Sequence, residues 1–147
     1  MLLPGAAETI HKLHPDHKML IVTNGIADVQ RPRFDNSEIK RYFENIIISD
    51  EIGAAKPAAE FFDIAFKAMG EPDKKDVMII GDSLTSDMAG GIKYGIDTCW
   101  YNPNKTQNTT SMNITYEIFE LYELFKIVKT DNAAPPDTMV HADLGIG

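Results

Sequence analysis

The chain of 147 residues has little of what usually marks a special environment. It carries one cysteine, Cys99, so no internal disulfide can form and nothing in the fold depends on an oxidising compartment. Its position inside an apolar segment predicts an inert buried thiol. No apolar run approaches the roughly 18–20 residues needed to span a bilayer, which argues against a membrane partner. The opening residues, MLLPGAAETIHKLHPDHK, lack the basic start and long apolar centre of a secretory signal, so the expected location is cytoplasmic. Positive charge is scarce as well. There are 14 Lys and Arg against 22 Asp and Glu, a formal net charge of −8, and the basic residues form no stripe. Such a field repels a phosphate polymer, which argues against nucleic acid as a partner. A small phosphorylated molecule is still allowed, because a local cation and backbone N–H groups can outweigh the net charge.

What remains is an ordinary globular composition, 44% hydrophobic and 24% charged, without repeats or low-complexity tracts. Four near-continuous apolar runs end in small polar residues: MLIVTN (19–24), NIIISD (45–50), DVMIIGD (76–82) and IDTCWYN (96–102). Runs of this kind mark strands buried on both faces, as in a parallel sheet. Helical patterns lie before and between them, over residues 5–14, 57–70 and 86–94, the last stopped by Gly95. Residues 26–43 read as helix in two pieces with Pro32 setting a boundary or a kink, and 114–128 as a last amphipathic helix. The expectation is therefore an α/β, Rossmann-like parallel sheet with flanking helices over residues 1–128. The tail, 129–147, is expected to be a loose extension. In such sheets chemistry collects at the carboxyl ends of the strands, where Thr23-Asn24, Ser49-Asp50, Gly81-Asp82 and Asn102 fall.

Three motifs share that rim. In IVTNG (21–25) Thr23 offers a hydroxyl, and Gly25 turns the chain into a helix whose first N–H groups suit a phosphate; an ordinary helix cap is the alternative. In GAAKPAAEFF (53–62) Lys56 stands just before a helix, where its ammonium can be held over the rim or left solvated. In IIGDSLTSDMAGG (79–91) the carboxylates of Asp82 and Asp87 can reach one hard cation such as Mg2+, or simply complement a helix dipole. Gly90-Gly91 is costly inside a helix, and close packing against a neighbour is the expected reason.

Together, in this order, the motifs resemble those of the haloacid dehalogenase-like hydrolase superfamily, mostly magnesium-dependent phosphatases that work through an aspartyl-phosphate. Thr23 matches the family's second motif, Lys56 its third, and Asp82 with Asp87 its fourth. The wider text, from LLPGAAETI to TYEIFELYELF, looks most like the pyrimidine 5′-nucleotidase subgroup. The resemblance implies that Thr23 and Asn24 hold the phosphoryl oxygens, that Lys56 offsets transition-state charge, and that Asp82 and Asp87 serve Mg2+. It further implies a small, nucleotide-like phosphorylated substrate.

One part of the family pattern is missing. The first motif, an apolar strand ending in Asp-x-Asp, supplies the attacking carboxylate and the general acid, and no Asp-x-Asp occurs in the 147 residues. The resemblance places that strand in the centre of the sheet, between the strands ending at Thr23 and Asp82. Its absence would remove about four or five buried apolar side chains at roughly 1.5–3 kcal/mol each, comparable with a domain's net stability of ~5–15 kcal/mol. The expectation is a C-terminal core portion of a phosphomonoesterase, inactive alone, whose gap is filled by a missing N-terminal segment or a second copy. A third filler is the tail itself, TMVHADLGIG, which carries Asp143 but has Gly145 where the general acid belongs. A non-catalytic phosphate- or magnesium-binding remnant, or a strand-pairing module, is the alternative function. The series His11, His14, His17 is broken by Pro15 and expected to be a solvated surface.

Overall fold

Five-residue apolar runs rich in Ile and Val bury both faces only when helices cover both sides of the sheet, and this is the arrangement found. The computed structural model of the protein describes residues 5–130 and 137–141. In chain order the elements are α1 (Ala6–Leu13), β1 (Lys18–Thr23), α2 (Ala27–Asp35), β2 (Asn45–Ile48), α3 (Ser49–Ile52) and α4 (Ala59–Ala68). Then follow β3 (Val77–Gly81), α5 (Ala89–Tyr94), β4 (Asp97–Tyr101), β5 (Tyr116–Ile118), α6 (Leu124–Thr130) and β6 (Asp137–His141). The described residues build a sheet in the order β2-β1-β6-β3-β4-β5, with every neighbouring pair parallel.

Side chains alternate between two cores with the strand period of two. Met19, Ile21, Met78 and Ile80 join α1, Phe34 and Leu124 on one face. Leu20, Val22, Val77 and Ile79 meet Phe61, Phe62 and Phe66 of α4 on the other. The two glycines of α5 let it sit close to its neighbours. A methyl at Gly90 would come within 2.7 Å of the Phe62 ring and 3.2 Å of Pro57 Cα, and one at Gly91 within 2.7 Å of Ile79 and Thr98. Cys99 is buried, and burial pushes its thiol far above the usual range.

Three expectations from the sequence are corrected. Pro32 does not bound α2, which runs on to Asp35. The bond its ring forfeits would end on the Asp28 carbonyl in an exposed first turn, where water can serve. Residues 114–128 are not one helix. Tyr116–Ile118 pairs with β4, and a helical turn begins only after Glu120, where the Glu120 and Glu123 side chains form a reciprocal capping box. Last, the tail is not loose over 137–141. That segment is the central strand, in register with Lys18–Val22 on one side and Val77–Ile80 on the other. Of the three fillers weighed for the gap, the chain's own tail occupies it here. Asp143 and Gly145 lie outside the described residues.

Among the described residues no helix is long and apolar enough to cross a membrane.

Candidate functional site

Strand β1 delivers Thr23 at its last position, opposite Ile48 of β2. The Gly25 N–H donates to Thr23 Oγ1 at 3.0 Å, which fixes the hydroxyl oxygen and leaves its own hydrogen for another acceptor. The Asn24 side chain turns towards the loop before α4. Its Nδ2 donates to the Lys56 carbonyl at 3.0 Å, and the Lys56 N–H donates to its Oδ1 at 2.9 Å. Asn24 is thus a two-point clamp on the Lys56 backbone.

The Lys56 side chain does not stand over the rim. Its Nζ donates to the Val22 carbonyl, one residue below the end of β1, at 3.0 Å, and to Asp87 Oδ1 at 2.5 Å. Both side chains of this ion pair are 0% exposed. The Phe61 ring lies 5.9 Å from the ammonium. The pair therefore ties the end of β1 to the turn that follows β3, beneath the surface on which a ligand would sit.

Asp87 reaches Lys56 because the chain after Gly81 winds through a π-type turn over Leu84–Met88. Such turns are rare and concentrate at functional sites. Ser83 caps the turn, its hydroxyl accepting from the Ser86 N–H at 3.1 Å, while the Ser83 N–H donates to Asp87 Oδ2 at 3.3 Å. Gly81 has to be glycine, since a Cβ there would run into the Asp87 carboxylate. Burial pushes the Asp87 carboxyl up from its ordinary range; the Lys56 ammonium and the Ser83 N–H pull it back, and Asp82 adds to the rise.

Asp82 is exposed at the end of β3, and its carbonyl accepts from the Trp100 indole N–H at 3.1 Å. The structure therefore gives the two acids expected to share a cation different settings, Asp82 exposed and Asp87 buried. Asp82 presents a carboxylate at the rim, in keeping with a magnesium site that takes one or two carboxylates plus phosphate oxygens and water. The carboxylate of Asp87 is engaged with Lys56 through Oδ1 and with the Ser83 N–H through Oδ2. Among the described residues no group of three or more His, Cys, Asp or Glu is gathered for a metal.

One residue with a bearing on the site was named in the sequence only as a strand end. Asp50 Oδ2 accepts the Ala27 N–H at 3.0 Å, so the first turn of α2, expected to greet an anion, is capped from within the chain. A cleft of about 290 Å³ beside it is lined by Asn24, Gly25, Ile26 and Asp50 among others. An anion entering there would face the Asp50 carboxylate. A second residue, buried Asn102, braces the loop after β4. Its Oδ1 accepts the Thr106 N–H at 3.0 Å, and its Nδ2 donates to the Thr106 carbonyl and to Glu117 Oε2, both at 2.8 Å. The turn signal in YNPNKT marks that loop, but nothing local shows that Asn102 faces inwards.

The histidine series lies at the other end of the strands. His11 Nδ1 is 2.7 Å from the Tyr42 hydroxyl, and the rings of His11 and His14 both pack against the Tyr42 ring.

A family model described as "haloacid dehalogenase-like hydrolase" matches residues 1–101. Among curated proteins, the HAD-hydrolase YfnB of Bacillus subtilis (strain 168) is 37% identical over 131 residues, which is 89% of this chain and 56% of that protein. The pyrimidine 5′-nucleotidase YjjG of Escherichia coli (strain K12) is 34% identical over 126 residues, 86% of this chain and 56% of that protein. The pyrimidine 5′-nucleotidase PynA of Streptococcus pneumoniae (strain ATCC BAA-255 / R6) is 36% identical over 123 residues, 83% and 52% respectively. The crystal structure of Bacillus subtilis YfnB bound to magnesium superposes with a TM-score of 0.84 over 88% of this chain and 57% of that one. The chain thus spans about half the length of the curated relatives it matches.

Proposed function

On the premise that the chain belongs to the haloacid dehalogenase-like hydrolase family, we propose that its rim is the phosphate- and metal-facing part of a phosphomonoesterase site. The substrate class is a nucleoside 5′-monophosphate, as the names of two relatives suggest. The observation that carries the reading is the Lys56–Asp87 pair, 0% exposed on both sides and aimed at the ends of two strands. Burying two charges costs several kcal/mol per ion and seldom adds net stability, so such a pair at a rim calls for another explanation.

The roles follow from the bonds. Thr23 gives its hydroxyl hydrogen to a phosphoryl oxygen while Gly25 holds its oxygen in place, and the backbone N–H at Asn24 adds a second donor. Lys56 lies beneath, and its positive charge offsets the charge that gathers on the phosphoryl group. Asp87 keeps the ammonium in position and fixes the Ser83 turn, which sets the direction of Asp82. Asp82 would hold Mg2+, whose part is to neutralise phosphate charge and orient its oxygens. The attacking carboxylate comes from sequence outside this chain, so the chain alone does not turn over phosphate esters.

A second reading, a non-catalytic phosphate and magnesium binder, draws support from β6. Its acid within the described residues, Asp137, stands at the end away from the rim, opposite Lys18 and Val77.

Turnover of p-nitrophenyl phosphate with magnesium, alongside calorimetric titration with inorganic phosphate, tests both. The expected result is no turnover above an Asp82→Asn control, with phosphate binding weakened by Thr23→Val. Metal-dependent turnover abolished by Asp82→Asn would overturn the external nucleophile. Phosphate binding that Thr23→Val leaves unchanged would overturn the phosphate site.

A further inference from the structure

The residues of β6 make the centre of the sheet, which is the place their composition suits least. On one side stand Met19, Leu20, Ile21 and Val22 of β1, on the other Val77, Met78, Ile79 and Ile80 of β3, all 0–1% exposed. Alternate residues of both strands belong to the core under α1 and to the core under α4, so a strand between them is covered on both faces. Such a position calls for an apolar residue at every step. β1 and β3 meet that demand, whereas DTMVH does so only at Met139 and Val140. Thr138 lies in register with Met19 and Met78, and His141 with Val22. What holds β6 is its backbone pairing, along Lys18–Val22 on one side and Val77–Ile80 on the other. Any extended segment can make those bonds, and side chains decide which segment is preferred.

The rest of the sheet does not depend on that choice. β6 is the last described strand in chain order, and without it the pairs β1–β2, β3–β4 and β4–β5 keep their partners. The two halves of the sheet are also tied across the slot by other groups. Lys56 bonds both the Val22 carbonyl of β1 and the Asp87 carboxylate beyond β3. The Phe61 and Phe62 rings of α4 pack in one core with Leu20, Val22 and Ile79. The slot is therefore kept in shape from outside β6. We propose that β6 is an exchangeable plug, and that the slot between β1 and β3 accepts in its place a parallel strand rich in Val and Ile from another polypeptide segment. Each relative carries a little under half its length outside the span that this chain matches, and sequence of that kind is the natural donor. Phosphate and metal play no part in the exchange, so it stands or falls apart from the phosphomonoesterase reading.

Amide hydrogen exchange of the full chain, with a peptide as competitor, tests this. Met139 and Val140 are expected to exchange at least about tenfold faster than the β1–β2 and β3–β4 ladders, through an opening those ladders do not share. The probe is the peptide Lys-Val-Ile-Val-Ile-Val-Lys, which should bind saturably and release Met139 and Val140 from protection. The same peptide with proline at its centre cannot complete a ladder and should not bind. Thr138→Val combined with His141→Ile makes β6 itself apolar. It should slow exchange at Met139, and weaken peptide binding, by at least about tenfold. Equal protection of β6 and the other ladders, absence of peptide binding, equal binding of the proline peptide, or no slowing in the double variant would each overturn the proposal. Release of β6 that grows with chain concentration, together with a dimer in light scattering, would give the slot to a second copy and overturn the separate donor.

Discussion

The two ends of the sheet carry clefts of nearly equal size and very different construction. At the amino ends of the strands, about 470 Å³ lies among His14, His17, Lys18, Arg41, Tyr42 and Glu44. At the carboxyl ends, about 460 Å³ lies beside Asp82, and the same rim carries a fully buried ion pair. The first end is polar in the way a surface is polar. Arg41 is exposed, donates to the Tyr42 hydroxyl at 2.7 Å, and stacks its guanidinium 4.8 Å from the Tyr42 ring. Charges there keep their water, so little is at stake in where they point. At the second end, Lys56 and Asp87 have given up water entirely, and the backbone around them is fixed to keep them together. Volume does not distinguish the two ends; desolvated charge does.

The sharpest way to break this contrast is to remove one charge at each end. Lys56→Ala leaves Asp87 buried without its counter-charge, which should cost about 3–5 kcal/mol in chemical denaturation. The loss should also depend on pH. Burial already holds the Asp87 carboxyl above its unfolded value, and taking away the ammonium raises it further. A folded pKa above the unfolded one means that the folded state takes up a proton as pH falls. The deficit of Lys56→Ala relative to the parent should therefore shrink as pH drops from 7 towards 4. A deficit independent of pH would show that the pair carries no desolvated charge.

Gly90→Ala comes next. Its methyl would press on the Phe62 ring and on the Pro57 backbone beside Lys56. Overpacking of this kind costs about 1–3 kcal/mol, read as a lowered denaturation midpoint. Because Pro57 adjoins Lys56, phosphate binding should weaken as well, a response that plain core strain would not give.

The smallest effect belongs to the opposite end. Tyr42→Phe removes the hydroxyl shared by His11 and Arg41, and should change stability by less than about 1 kcal/mol. Phosphate binding should stay unchanged. A larger loss would mean that the two ends are more alike than their burial suggests.

How far the sequence leads depends on how local the cause is. Strands β1 to β4 are legible because each is a run of β-branched and apolar residues that can be buried only in a covered sheet. The stop of α5 is legible because Gly95 takes a left-handed φ of 89°. β5 is not, since ITYEIFELYELF satisfies a helical period while its aromatic and branched residues also suit an edge strand. The choice falls to the pairing with β4, which no window of sequence contains. β6 is harder still: DTMVH is short and weakly patterned, and its partners β1 and β3 lie far back in the chain. At the rim, the gathering of Asn24, Lys56 and Asp87 near the strand ends was legible and their layering was not. Lys56 before a helix can point over the rim or under it, and the Val22 carbonyl and the Asp87 carboxylate decide for under. Asp82 and Asp87 look equivalent in GDSLTSD until the π-type turn carries one of them inside.

That difference between the two acids is the core of the account, and manganese, a paramagnetic stand-in for magnesium, addresses it directly. Added in small amounts to the labelled chain, it should broaden the amide signals of residues 81–84 and of Asn24 and Gly25. Signals of residues 14–18 and 41–44 should stay sharp, and Asp82→Asn should abolish the broadening. Broadening centred on the opposite end, or unchanged in Asp82→Asn, would contradict the assignment of the metal to Asp82 and of the site to this rim.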